Sequence, residues 1–458
     1  MKILFVIYEL SYADHIALAY LSAMAKQLHH STFFCSLDSH DFFSMVDAIK
    51  PDVIAYSVNI QGFIPLVKAH KEACKRHSFI SIMGGPHPTF SPETFSESGV
   101  DAYCIGEGEY AFQEFLRNVE KGESFDFVEN LITKNRINPI RSLISDLDTL
   151  PPADRDLVLA NSFLKDTQKK TFYATRGCPF SCAYCCNNYY QDLYKGKGPL
   201  VRRFSVERII QEIERVRSEY QMSFIKFGDD LFAMKADPWL EEFTKKYAQR
   251  IGIPFNCYLR FDCITDAMLK LLKEAGCFSV HLSVDSTSQH IREHVLNRSM
   301  KAIPISDMLK KIKRYGINTW VNYMLAVPES SLQDDLDSIE MSREGKVTYT
   351  NYSTTVPIKG TRLFNHCVER GYINSTLHKS DMTGCIQKST LSCFSEKEKD
   401  IRYNIYLLGS IITKLPFPLY QCALFVIKII PPNAFFKKLH DRFYTFYIMN
   451  KIFKLKKA

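Results

Sequence analysis

Residues 174–187 read ATRGCPFSCAYCCN and follow directly on the apolar TFY at 171–173. Cys178, Cys182 and Cys185 therefore fall within eight residues, on a segment that leaves a strand. Three thiolates so spaced can wrap one iron–sulfur cube and leave its fourth iron without a protein ligand. A structural zinc site would need a fourth ligand, which Cys186 could supply, although adjacent cysteines rarely chelate one tetrahedral ion. Fourteen cysteines in 458 residues are far too few for a disulfide scaffold, and ten of them are scattered singly. In a reducing compartment the cluster reads as metal-binding.

Outward from this segment, strand and helix alternate. TFYAT at 171–175 precedes a helical stretch over 205–219, then FIKF at 224–227 and a helix near 237–250. FNCYL at 255–259, a helix over 265–275 and FSVHLSV at 278–284 follow. Helix 301–315, strand 319–326, helix 332–345 and strand 349–356 close the series. Six such units in about 190 residues predict a partial barrel, two units short of the closed eight.

The N-terminal part alternates as well. KILFVIY at 2–8, VIAYS at 53–57, FISIM at 79–83 and AYCI at 102–105 are apolar runs typical of buried parallel strands. Helical spacing over 15–29 and 63–76 separates them, so residues 1–130 read as a doubly wound, Rossmann-like α/β domain. Such sheets bind ligands beyond the carboxyl ends of their strands, here Ser57, the turn Gly84-Gly85-Pro86-His87, and Gly106-Glu107. Residues 131–170, with Pro151-Pro152 and little periodicity, read as a linker, 171–370 as the barrel, and 371–458 as a mainly helical C-terminal region.

Composition is that of a folded protein, with 46% apolar and 24% charged residues and a net charge of +8. No stretch reaches the roughly 20 uncharged apolar residues of a spanning helix, and no cleavage signal follows the N-terminal apolar run. A cytoplasmic location is expected. Charge is uneven along the chain: Lys414 is the only charged residue between Arg402 and Lys428, a stretch broken by Pro416 and Pro418. Seven basic residues then oppose Asp441 over 433–458, Lys456 and Lys457 among them. The tail reads either as a subdomain packed on the barrel or as an interfacial contact with anionic lipid. Nucleic acid is disfavoured, because the charge sits beside apolar and aromatic runs.

The motif CxxxCxφC, with Tyr184 as its aromatic, and the flanking Arg176-Gly177-Cys178-Pro179 resemble the radical S-adenosylmethionine (SAM) enzymes. Recognisable resemblance runs from about residue 1 to 370, to the branch with an N-terminal cobalamin-binding domain. It implies a [4Fe-4S] cluster on Cys178, Cys182 and Cys185, with SAM on the open iron. Tyr184, Asp229 and Asp230 after the second strand, Arg260 after the third and Asp285 in SVDSTS would be the site residues. Asp285 stands where the family usually has Glu. Arg298 in VLNRSM and Pro357-x-x-Gly360-Thr361-x-Leu363 also fit the branch. Ser57, Gly84, Gly85, Pro86, His87, Gly106 and Glu107 resemble its cobalamin-binding positions, while residues 14–19, DHIALA, lack the DxHxxG motif and make His15 a poor cobalt ligand.

The activity so implied is methylation of an unreactive carbon, with two SAM consumed per turnover. One SAM gives S-adenosylhomocysteine as cobalamin takes up the methyl group; the other gives a 5′-deoxyadenosyl radical. Cyclisation or rearrangement of a lipophilic or natural-product substrate is the alternative. Reduced flavodoxin or ferredoxin would supply electrons to act on a small, lipophilic molecule. Contact of the tail with the inner face of the membrane is the accompanying expectation.

Overall fold

The computed structural model describes residues 1–10, 14–300, 304–373 and 387–455, and the chain forms two units. The first comprises residues 1–167, 189–204 and 214–221. Its sheet has six strands: β1 (Lys2–Ile7), β2 (Ser31–Ser36), β3 (Val53–Ser57), β4 (Ile80–Gly84), β5 (Ala102–Cys104) and β6 (Leu131–Thr133). Their order is β2-β1-β3-β4-β5-β6, parallel except for β6. Ile3 to Ile7 are all buried, as a parallel strand covered on both faces requires. The order reverses between β1 and β3, which places the ligand crevice at their carboxyl ends. Ser57 ends β3 there, in register with Gly84 of β4.

β2 and β6 were not expected from the sequence. β2, STFFCS, is an edge strand exposed at Ser31 and buried only over its last half, so it forms no continuous apolar run. β6 belongs to the segment read as a linker. That reading is corrected here: residues 131–167 are built into the first unit, with Leu147, Leu157, Leu159 and Leu164 buried. Arg155 donates to Asp14 at 2.8 Å with both side chains buried, and the Ser22 hydroxyl donates to Asp154 at 2.5 Å. Polar anchors hold a segment without periodicity, and hydrophobic pattern alone does not reveal them.

The second unit comprises residues 168–188, 205–213 and 222–458. Its strands are β7 (Lys169–Phe172), β8 (Phe224–Phe227), β9 (Phe255–Tyr258), β10 (Cys277–Asp285), β11 (Asn318–Leu325) and β12 (Tyr349–Thr354). All are parallel, and each lies beside its neighbour in sequence. This is the expected six-stranded partial barrel. Its intervening helices start where capping residues put them. Asp237, Thr265 and Ser331 each accept a hydrogen bond from a first-turn amide, Ser331 in a reciprocal box with Asp334. The helix expected over 301–315 is seen as Ile305–Arg314; 301–303 lie outside the described residues, as do 374–386, Lys456 and Lys457.

The C-terminal region is helical: Glu396–Ile412, Phe417–Ile429 and Ala434–Tyr447. The first of these is tied to the barrel by the Ser410 hydroxyl, which donates to the Thr350 carbonyl, and by buried Arg402, 2.5 Å from Asp335. The last described turns close the barrel floor. Ile448, Ile452 and Phe453 pack with Phe224, Trp320 and Tyr349, and Ser279 donates to the Ile452 carbonyl at 2.8 Å.

Candidate functional site

The segment leaving β7 carries the three cysteines to the carboxyl ends of the barrel strands, where active sites of such barrels lie. A cavity of about 160 Å³ there is lined by Cys178, Cys182 and Cys185 together with Tyr184, Asp230, Arg260 and Arg298. Asp229 does not line it. Its Oδ1 accepts from the amides of Ala174 and Thr175, at 2.7 and 2.5 Å, and from the Thr175 hydroxyl at 2.9 Å. Asp229 therefore positions the strand end from which the cysteine segment departs, while Asp230 reaches the cavity. Complete burial pushes the Asp229 carboxyl up to about 7 despite those bonds, and burial also lifts Asp230 above the usual carboxylate range.

Two guanidinium groups converge on one sulfur. Arg298 Nη1 lies 3.6 Å and Arg260 Nη1 3.8 Å from Cys182 Sγ, both within hydrogen-bond reach of the sulfur. Arg260 is held by Asp262 at 2.6 Å and lies over the Phe180 ring, 3.8 Å from its centroid. Arg298 donates to the Ser283 carbonyl at 2.7 Å and pairs with Asp285 at 2.7 Å. The Tyr184 hydroxyl donates to the same Asp285 carboxylate at 2.6 Å. Asp285 is buried with its carboxylate engaged by Arg298 and Tyr184, so it orients those two residues. Burial pushes the Cys178 thiol up to about 11, whereas a hydrogen bond from Cys186 draws Cys185 down to about 7.

In the first unit, Ser57, Gly84, Gly85, Gly106 and Glu107 lie part-exposed along the strand ends, with Pro86 exposed beside them. Gly85 has φ +100°, and a Cβ there would meet the Val58 backbone at 3.1 Å. Gly106, at φ +76°, abuts the Tyr194 hydroxyl, which a Cβ would meet at 2.0 Å. Glu107 pairs with Arg202 at 2.8 Å. His87 is different: it is fully buried, stacked on Phe63 at 4.0 Å, so it supports the turn from within. His15 occupies the position just before the helix Ile16–Gln27, and its side chain makes no capping hydrogen bond.

A family model for the radical SAM superfamily matches residues 172–340, and one for the B12 binding domain matches residues 10–116. The chain is a radical SAM enzyme with a B12-binding domain. Among its relatives is an uncharacterised methyltransferase of Pyrococcus horikoshii, 26% identical over 77% of this chain and 78% of the relative. A bacteriochlorophyllide d C-8(2)-methyltransferase of Chlorobaculum tepidum is 21% identical over 89% and 92%. Among solved structures, the radical SAM methyltransferase TsrM of Kitasatospora setae shares the fold, with a TM-score of 0.67 and 13% identity over 81% of this chain and 76% of that one.

The cofactors of a radical SAM enzyme with a B12-binding domain are a [4Fe-4S] cluster, SAM and cobalamin, and the residues present fit them. Among the described residues no three His, Cys, Asp or Glu side chains converge on a single-ion position. A cube requires something else, since each thiolate binds its own iron at a separate corner. The three cysteines around one cavity, with two arginines on Cys182, suit that anionic group. Ser57 and the part-exposed turn at Gly84 and Gly85 lie at the strand ends where such a sheet would hold its ligand, whereas the space beside Gly106 is filled by Tyr194 and His87 is buried.

Sequence reasoning passed over Phe180, Asn187, Tyr258 and His281, all of which line the cavity. For two of them a signal was present. Tyr258 is two residues before Arg260 and His281 two before Ser283, so strand alternation turns each toward the same side as a cavity residue.

Proposed function

We propose that this radical SAM enzyme is a methyltransferase that transfers a methyl group to an unreactive carbon of a small, lipophilic molecule. The observation that carries the reading is the cavity in which three cysteines, Asp230 and two arginines meet, in a chain that also has a B12-binding domain. When bound, the cluster with SAM supplies a radical that takes hydrogen from carbon, and cobalamin supplies a methyl group. The protein's own contribution is placement. Arg260 and Arg298 balance charge at Cys182, Asp285 fixes Tyr184 and Arg298, and Asp230 offers a carboxylate to the SAM ammonium. Reduced flavodoxin or ferredoxin is the proposed electron donor. A relative named for a bacteriochlorophyllide substrate supports the lipophilic reading.

Product stoichiometry tests this. With cobalamin, a strong reductant and substrate, S-adenosylhomocysteine and 5′-deoxyadenosine should form in near-equal amounts. Deuterium from the reacting carbon should appear in the 5′-deoxyadenosine. If 5′-deoxyadenosine is the sole nucleoside product and no methyl label enters the substrate, cyclisation or rearrangement takes its place.

The tail supports a peripheral membrane contact. Phe417, Leu419, Phe425, Ile429, Phe435 and Phe446 are each more than half exposed, beside exposed Lys428, Lys437, Lys438 and Arg442. No helix among the described residues is long and apolar enough to cross a membrane. An apolar face rimmed with positive charge suits the surface of an anionic bilayer. Full-length protein should sediment with phosphatidylglycerol vesicles, less so as salt rises. A Phe417→Ser, Phe425→Ser, Phe435→Ser variant should stay in the supernatant; wild-type protein that also stays there at low salt defeats the idea. Truncation at residue 402 is no substitute, because it would remove buried Arg402 and the barrel floor at Ile452.

A further inference from the structure

Among the residues that line the cysteine cavity, Asn187 has no task in the proposed chemistry. It is the second residue of the helix Cys186–Leu193, and only 7% of it is exposed. Cys185 stands immediately before that helix, at the position whose side chain ordinarily accepts from first-turn amides. Here the acceptor is a sulfur. Asn187 Nδ2 lies 3.6 Å from Cys185 Sγ, and the Asn187 backbone N–H also donates to that sulfur. The positive end of the helix works in the same direction.

The neighbours of the Asn187 side chain fix which way its amide is turned. A thiolate and a carboxylate only accept, so both require the nitrogen. Besides its bond to Cys185, Asn187 makes a side-chain hydrogen bond to the Asp230 carboxyl, which works against the rise that burial gives that group. The amide NH2 has two protons, one for each acceptor. At Cys182, by contrast, the side-chain donors are the charged Arg260 and Arg298, which also hold Asp262 and Asp285. Asn187 is uncharged, so what it brings to its sulfur is a hydrogen bond with no change in net charge. When a [4Fe-4S]2+ cluster takes one electron, negative charge on its sulfurs grows and donors to them are held more tightly. Such bonds therefore raise the reduction potential.

We infer that Asn187 is a positioning residue for the cluster: its side-chain amide, shared between the Cys185 sulfur and the Asp230 carboxyl, raises the reduction potential of the [4Fe-4S] group. The inference rests on Cys185 as a cluster ligand and does not require methylation.

The test is a redox titration of the anaerobically reconstituted full-length protein, with SAM and substrate left out, followed by the EPR signal of the reduced cluster. Asn187→Leu keeps the bulk and removes the donor. Its reduction equilibrium should move about tenfold toward the oxidised cluster, a midpoint about 59 mV lower for one electron. Asn187→Asp keeps the shape, removes the donor and adds negative charge, so its midpoint should fall at least as far. Iron content equal to that of wild type reports that the cluster is in place. A wild-type midpoint in either variant with its cluster intact, or loss of the cluster from both, would overturn the assignment. No turnover enters the measurement, so its outcome is separate from that of the methylation assay.

Discussion

Replacing Cys178, Cys182 or Cys185 by Ala will strip the protein of its iron–sulfur cluster, whereas Cys186→Ala will retain it. The first three surround one cavity. Cys186 does not line it; it opens the helix Cys186–Leu193 and is exposed. Three protein thiolates suffice for a cube whose fourth iron takes SAM, so a fourth cysteine is not required. After anaerobic reconstitution, wild type and Cys186→Ala should each carry about four iron and four sulfide per chain, and the triad variants close to none. Cluster loss in Cys186→Ala, or a protein that takes up only zinc, would refute the ligand set. The Cys185 thiol is touched by Cys186, so a modest change in reconstitution rate is compatible with this outcome.

Arg402→Leu should destabilise the barrel unit by about 3–5 kcal/mol, the usual result of removing one partner of a buried ion pair. Arg402 and Asp335 are both almost wholly buried and 2.5 Å apart, and Arg402 also donates to the Ser330 carbonyl at 3.2 Å. Burial already pushes the Asp335 carboxyl up to about 6, with Arg402 working against the rise. Without the guanidinium the folded-state value climbs further above that of the unfolded chain. A raised carboxyl favours the folded state when protonated, so its contribution is present at low pH and lost as pH rises through the folded value. The variant's denaturation midpoint should therefore recover partly at pH 5 relative to pH 7. Arg402→Leu with an unchanged midpoint at pH 7 would show that the pair does not tie the tail to the barrel.

The cysteine spacing, the six βα units and the doubly wound first domain were all legible in the chain itself. Each depends on local physics: a chelating loop is set by residues within a few positions of one another, and a buried parallel strand announces itself as an apolar run. The same locality explains what was missed. β2 and the segment 131–167 are held by partners far away in sequence, such as Asp14 for Arg155 and Ser22 for Asp154. The two adjacent aspartates looked equivalent in FGDD, yet the fold turns Asp229 inward to the Thr175 amide and Asp230 to the cavity. Asp285 looked available to a ligand until Arg298 and Tyr184 were found on its carboxylate. Nor did the tail choose between its two readings. Residues 402–412 and 448–453 pack on the barrel, while the helices between them turn apolar side chains to solvent. The sequence by itself thus determined the cysteine spacing, the six βα units and the doubly wound class of the first domain. Which side chains are spent on one another, and which remain free to act, only the tertiary structure decided, because long-range pairing of buried charges and donors leaves no periodic trace along the chain.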